Sequence, residues 1–267
     1  MSLIKQVAKV VQVARNRSTK QVIEDLMQMQ CNLLTEPVFI EKVYPNTLYR
    51  YGEGFREELN YYKKDAPAWA ELTKLSTMFL HAVAEAKPFT DHMGSLYDLE
   101  LRGNTFGQFL TPPDLAELLG DLHMSLEQPI TSPKTVGDDT GCGAGSLLLG
   151  YLRGVLRHQG KGAISMLHVV ANDLDTQMVK ICAVQIALNS IIHRIPLNSL
   201  TVHNCNIISE YMEMNAGKHV AFHWIPNAKM GYHNTHRQAL QAFKTLSRQS
   251  QKLEAAYAHL SNNKRKL

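Results

Sequence analysis

The sequence predicts an α/β fold, a parallel β-sheet covered by helices, and three observations carry that prediction. From Lys134 onward, short apolar and β-branched runs alternate with stretches of helical periodicity over short links. Hydrophobic residues make up 45% of the 267-residue chain, enough for a full globular core. A glycine-rich turn, Gly141, Gly143 and Gly145 within "VGDDTGCGAGSLLLG", falls between the first of those runs and the helix behind it.

Residues 1–98 read as an N-terminal helical region. "STKQVIEDLMQMQCNLL" opens with Ser18 as an N-cap, and "APAWAELTKLSTMFLHAVAEA" spaces its apolar residues as a helix does. Gly and Pro then cluster in "RGNTFGQFLTPPDLAELLGDL", where Pro112 and Pro113 start another helix. The α/β part, residues 99–233, follows as the strand "KTVGDDTG", a helix closed by Gly160, and the strand "AISMLHVVAND". The helix "TQMVKICAVQIALNSII" and the strands "LTVHNCNI" and "HVAFHWI" complete it. Residues 234–267 read as a long basic helix. Ala239, Phe243, Leu246, Ser250, Leu253, Tyr257 and Leu260 recur there at steps of four and three, a seam for the chain's own body or for a second copy.

Composition narrows the function classes. A formal net charge of +4 with 19% charged residues is too weak to argue for nucleic acid by itself. The excess sits in the tail, where Arg237, Lys244, Arg248, Lys252, Lys264, Arg265 and Lys266 face a single acid, Glu254. The four cysteines, Cys31, Cys142, Cys182 and Cys205, are scattered and form no disulfide framework or zinc ribbon. No window approaches a membrane-spanning run, and a soluble cytoplasmic protein is expected.

A strand, a bare turn and a helix start make a site for a nucleotide-like ligand, because missing Cβ atoms allow close approach and the helix start offers free N–H groups. Here acids precede the glycines. Asp138 and Asp139 suit a ligand carrying an ammonium or hydroxyls better than a pyrophosphate. At the end of the next strand, Asp173 stands where a carboxylate accepts both hydroxyls of a ribose. The pair favours S-adenosylmethionine over a dinucleotide. The bland reading of "NDLD" is helix capping, which Asp175 is expected to perform.

The pieces "GNTFGQFLTPPDLAELL", "DTGCGAGSLL" and "ANDLDTQMVKICAVQIAL" resemble, in order and spacing, successive motifs of the N6-adenine DNA methyltransferases of restriction-modification systems and phages. The resemblance implies a Rossmann-like methyltransferase domain. It implies that Phe109, Thr111 and Pro112 contact the methionine end of S-adenosylmethionine, that Asp139, Gly141, Gly143 and Gly145 cradle it, and that Asp173 holds the ribose. Asn206 stands where the family often has an aspartate near the adenine ring, and Thr140 replaces a proline.

The family's catalytic tetrapeptide, [DNS]-P-P-[YFW] at the end of the fourth strand, has no counterpart. Aligned by strand length, Trp224, Ile225, Pro226 and Asn227 fall on its four positions, a degenerate match that does not rebuild the acceptor geometry. Only 40 residues follow Asn227, so a truncated sheet is expected. Lys264, Arg265 and Lys266 could contact DNA phosphates without reading sequence. His219, His223, His233 and His236 lack interleaved ligands for a metal. Two functions stay open: a DNA adenine methyltransferase that needs a partner subunit, and a homologue without methyl transfer that acts as a DNA-binding, regulatory or antirestriction-type protein, a homodimer through the terminal helix. A protein that binds S-adenosylmethionine as a sensor, or processes it without DNA, is intermediate between them.

Overall fold

The computed structural model describes residues 2–94, 96, 110–138 and 140–228. Its first layer is helical. α1 (Leu3–Val13) and α2 (Thr19–Leu34) precede a short α3 (Pro37–Val43). Ser18 caps α2 reciprocally with Gln21: the Gln21 N–H donates to Ser18 Oγ at 3.2 Å, and the Ser18 N–H donates to Gln21 Oε1 at 3.0 Å. After strand β1 (Leu48–Tyr51) and a 3₁₀ turn, α4 (Ala66–Glu85) starts at Asp65, whose carboxylate accepts the Ala68 N–H at 3.0 Å.

The α/β part follows: α5 (Pro113–Leu126), β2 (Lys134–Asp138), α6 (Ser146–Ile164), β3 (Leu167–Asp173), α7 (Thr176–His193), β4 (Ser199–Asn204), α8 (Ile207–Asn215) and β5 (Val220–Ile225). α6 passes through Gly160 as a kink at φ 80° and runs on to Ile164, one turn further than its sequence suggests. The α7 helix is buried on every side, between the sheet and helices α2 and α4. That is the place of a helix with no polar face.

The five strands form one sheet in the order β1-β5-β4-β3-β2. β2, β3 and β4 are parallel, with helices on the crossovers, a Rossmann-like arrangement. Two departures from the expected all-parallel sheet stand at its other edge. β5 runs antiparallel to β4, and β1, from the region read as helical, pairs antiparallel with β5. The reason lies in the α8 connection. The Asn204 N–H donates to the His219 carbonyl at 2.9 Å, so the chain comes back to the point where β4 ended and descends from there.

One apolar core joins these layers, from Val7 and Leu26 in the helices through Leu149 and Val184 to Phe222 and Trp224. No helix among the described residues is long and apolar enough to cross a membrane. The expected domain limits at residues 98/99 and 233/234 and the C-terminal helix lie outside the described residues.

Candidate functional site

The glycine turn sits at the carboxyl ends of the parallel strands, where open α/β sheets bind ligands. Gly143 (φ 52°) and Gly145 (φ 86°) adopt the left-handed conformation that side chains resist. They are also crowded: a Cβ on Gly145 would stand 3.0 Å from Cys182 Sγ, and one on Gly143 would stand 3.1 Å from Leu110 Cδ2. Gly141 is different. A Cβ there would meet only Asp173 Oδ2, at 4.0 Å, so its bareness leaves open the space above that carboxylate.

The Cys142 N–H donates to the Asn172 carbonyl at 2.8 Å, which anchors the turn to β3. The Gly143 N–H donates to Asp173 Oδ2 at 2.8 Å, while Asp173 Oδ1 accepts the Asp175 N–H at 2.9 Å. Asp173 is 9% exposed, and a carboxylate has about four acceptor positions, so two N–H bonds leave capacity on the solvent side. Asp175 caps α7 through the Gln177 N–H at 2.8 Å, as its sequence position predicts. The helix start adds donors of its own: the first bond of α6 is Leu149 N–H to Gly145 carbonyl at 2.9 Å, and the N–H groups of Ser146, Leu147 and Leu148 precede it.

Two asparagines that the sequence reading did not single out tie the strand ends together. The Asn172 side chain donates to the Cys205 carbonyl at 3.2 Å and accepts the Cys205 N–H at 3.1 Å. Asn204 Nδ2 donates to the carbonyls of Asp173 at 2.9 Å and Leu174 at 3.0 Å. Their signal was the repeated polar residue at the close of two apolar strands, "VVAND" and "LTVHNCN".

The other expected site residues divide by place. Thr111, half-buried, and Pro112, exposed, start α5 directly after Leu110, which abuts Gly143. Asn206 caps α8, its Oδ1 accepting the Ile208 N–H at 3.0 Å, at the same sheet end as Asp173. Phe109, Asp139, Lys264, Arg265 and Lys266 lie outside the described residues.

Trp224, Ile225, Pro226 and Asn227 are not at the glycine turn. β5 descends from the carboxyl ends of the parallel strands, so these residues close its far end, and β4 and β3 lie between β5 and β2. Trp224 is fully buried, its indole N–H donating to Thr47 Oγ1 at 2.8 Å and its ring tilted on Tyr44 at 5.8 Å. It is a core residue. Placing these four by strand length assumed a parallel strand, and the return at His219 reverses it.

His219 and His223 have local partners, and His233 and His236 lie outside the described residues. His219 Nε2 lies 3.2 Å from Glu213 Oε2, and His223 Nδ1 pairs with Thr201 Oγ1 at 2.9 Å. Among the described residues no group of three or more His, Cys, Asp or Glu could hold a metal ion. A cavity of about 640 Å³, lined by Met29, Leu33, Leu59, Tyr62 and Trp69, opens among the N-terminal helices, away from the glycine turn.

The parallel part of the sheet thus carries a bare, left-handed turn beside a strand-end carboxylate. Residues 90–262 match the family N-6 DNA Methylase, and the chain belongs to that family. It is also similar to a solved structure, the type I restriction-modification system methyltransferase subunit from Streptococcus thermophilus. Identity is 20%, over 60% of this chain and 31% of that one, with a TM-score of 0.36. The chain thus spans about a third of that protein's length. No curated protein sequence matches it.

Proposed function

We propose that this chain binds S-adenosylmethionine at the glycine turn and acts in DNA adenine-N6 methylation together with a second polypeptide that supplies the acceptor site. The observation that carries the reading is the bond between the Gly143 N–H and Asp173: it sets a bare backbone and a part-used carboxylate side by side at the mouth of the parallel sheet. The remaining acceptor positions of Asp173 suit the two ribose hydroxyls. Leu174, 70% exposed beside it, offers an apolar surface to a flat ring. Asn206 keeps its Nδ2 donors for ring nitrogens. Thr111 and Pro112, with Phe109 before them, would flank the methionine end, and Asp139 its ammonium. When bound, S-adenosylmethionine supplies an electrophilic methyl group; the chain's residues orient it and keep its ribose fixed.

A second reading is favoured by the placement of β5: a family member that does not transfer methyl groups and works by binding DNA, with Lys264, Arg265 and Lys266 on phosphates. Calorimetric titration of the protein with S-adenosylmethionine, beside Asp173→Ala, tests the first reading. Saturable binding that the variant loses supports it, and no binding by the wild-type chain rejects it. Transfer of labelled methyl to adenine-containing duplex DNA, by the chain alone and with added cell extract, then separates the two readings.

A further inference from the structure

The α7 helix, buried all round, carries two amides one turn apart, Gln185 and Asn189, each 1% exposed. Buried amides are kept where both ends are bonded, so their partners report what they hold. Gln185 divides its ends between two segments: Nε2 donates to the Ala144 carbonyl inside the glycine turn at 2.9 Å, while Oε1 accepts the N–H groups of His92 at 2.8 Å and Met93 at 3.0 Å. Asn189 holds the same segment one turn on, its Oδ1 accepting the Phe89 N–H at 2.7 Å. Phe89 sits at φ 60°, a left-handed backbone that this bond helps to fix.

The segment also reaches the turn directly. Asp91 Oδ1 accepts the N–H groups of Met93 at 3.0 Å and Gly94 at 2.7 Å, and Oδ2 accepts the hydroxyl of Ser146, the first residue of α6. Gly94 has no room for a Cβ against that carboxylate. Gln185 and residues 89–94 therefore form a brace with two contacts on the glycine turn, Gln185 at Ala144 and Asp91 at Ser146, and neither uses Asp173.

We propose that Gln185 and Asp91 are positioning residues for the glycine turn, fixing the backbone that its ligand meets through Ala144 and Ser146. They touch the turn and not the ligand. For its effect on affinity the proposal rests on the S-adenosylmethionine reading above; for its effect on the turn it does not.

The test is two measurements on Gln185→Leu and Ser146→Ala, with Ser146→Thr as the variant that keeps the hydroxyl. Hydrogen exchange of the amides of residues 143–149 should quicken about ten-fold in the first two, with β3 and β4 amides unchanged, because one buried bond holding the turn is gone. Affinity for S-adenosylmethionine should fall about ten-fold in both, and Ser146→Thr should restore it. Unchanged exchange at the turn in both folded variants overturns the proposal, as does faster exchange with unchanged affinity. Faster exchange in a protein whose wild type does not bind S-adenosylmethionine supports the brace and rejects the ligand.

Discussion

Gly120 and Gly150 meet backbone to backbone where α5 crosses α6. A Cβ on Gly120 would overlap the Gly150 carbonyl, one on Gly150 would overlap that of Ala116, and one on Gly154 would lie 2.6 Å from the Gly120 oxygen. With no side chain between them, the axes approach closely, and α5 carries Thr111 and Pro112 to the edge of the glycine turn. Gly120→Ala should destabilise the fold by about 1–3 kcal/mol through overpacking, despite alanine's better helix propensity. A urea melt measures this, and an unchanged midpoint would show that the helices can part without cost.

The position of Trp224 predicts a separation of stability from ligand binding. Trp224→Phe loses the bond to Thr47 and part of the contact with Tyr44, and should cost about 1–3 kcal/mol. Its affinity for S-adenosylmethionine should stay within about two-fold of wild type, since the residue lies beyond β4 and β3 from the turn. A selective loss of affinity at unchanged stability would put Trp224 back at the site.

Acid should loosen the brace. Burial pushes the His92 imidazole below its ordinary range, the neighbouring His193 acts in the same direction, and Asp91 opposes both. Burial lowers His193 and His203 as well. A depressed folded-state value means stability that is present above the ordinary histidine pKa and lost as pH falls through the folded one. The thermal midpoint should therefore be flat between about pH 7 and 8 and decline below about pH 6.5. His92→Phe, which keeps a ring against Phe79, should flatten part of that decline; an identical pH profile would remove His92 from the account.

Lys180 is a buried cation, 3% exposed, with its ammonium donating to Gln28 Oε1 at 2.7 Å and ion-paired with Glu57 Oε1 at 3.7 Å. Glu57 reaches solvent, but the bonds of Gln28 to Asn32 Oδ1 and the Phe55 carbonyl are made by its Nε2, so loss of the ammonium leaves the buried Oε1 without a donor. Lys180→Met should cost about 1–3 kcal/mol, the cost of leaving that buried oxygen unsatisfied. A loss above about 3 kcal/mol would mean that the cation, rather than its stem, holds α7 to α2.

Much of this was legible in the sequence for reasons that act locally. Ser18 and Asp175 cap helices because a short side-chain acceptor precedes an apolar period, and the glycine turn declares itself by composition between a strand and a helix. What escaped depends on distant partners. "LYRY" is four residues amid helices, and only pairing with β5 makes it a strand. The direction of β5 is decided by where the chain comes back at His219. The brace left one trace, two amides in "AVQIALNSII", but their partners lie about 40 and 90 residues away.

The pairing of β1 with β5 also orders events in time. Leu48 and Ile225 face each other across 177 residues, so on a ribosome adding roughly 5–20 residues per second, β1 waits about 9 to 35 seconds for its partner. Meanwhile α1, α2 and α4 can pack on one another, but the edge of β1 and the surface that will cover Phe222 and Trp224 stay open. Until β5 emerges, the nascent chain carries a sticky strand, and chaperone demand should peak in that interval.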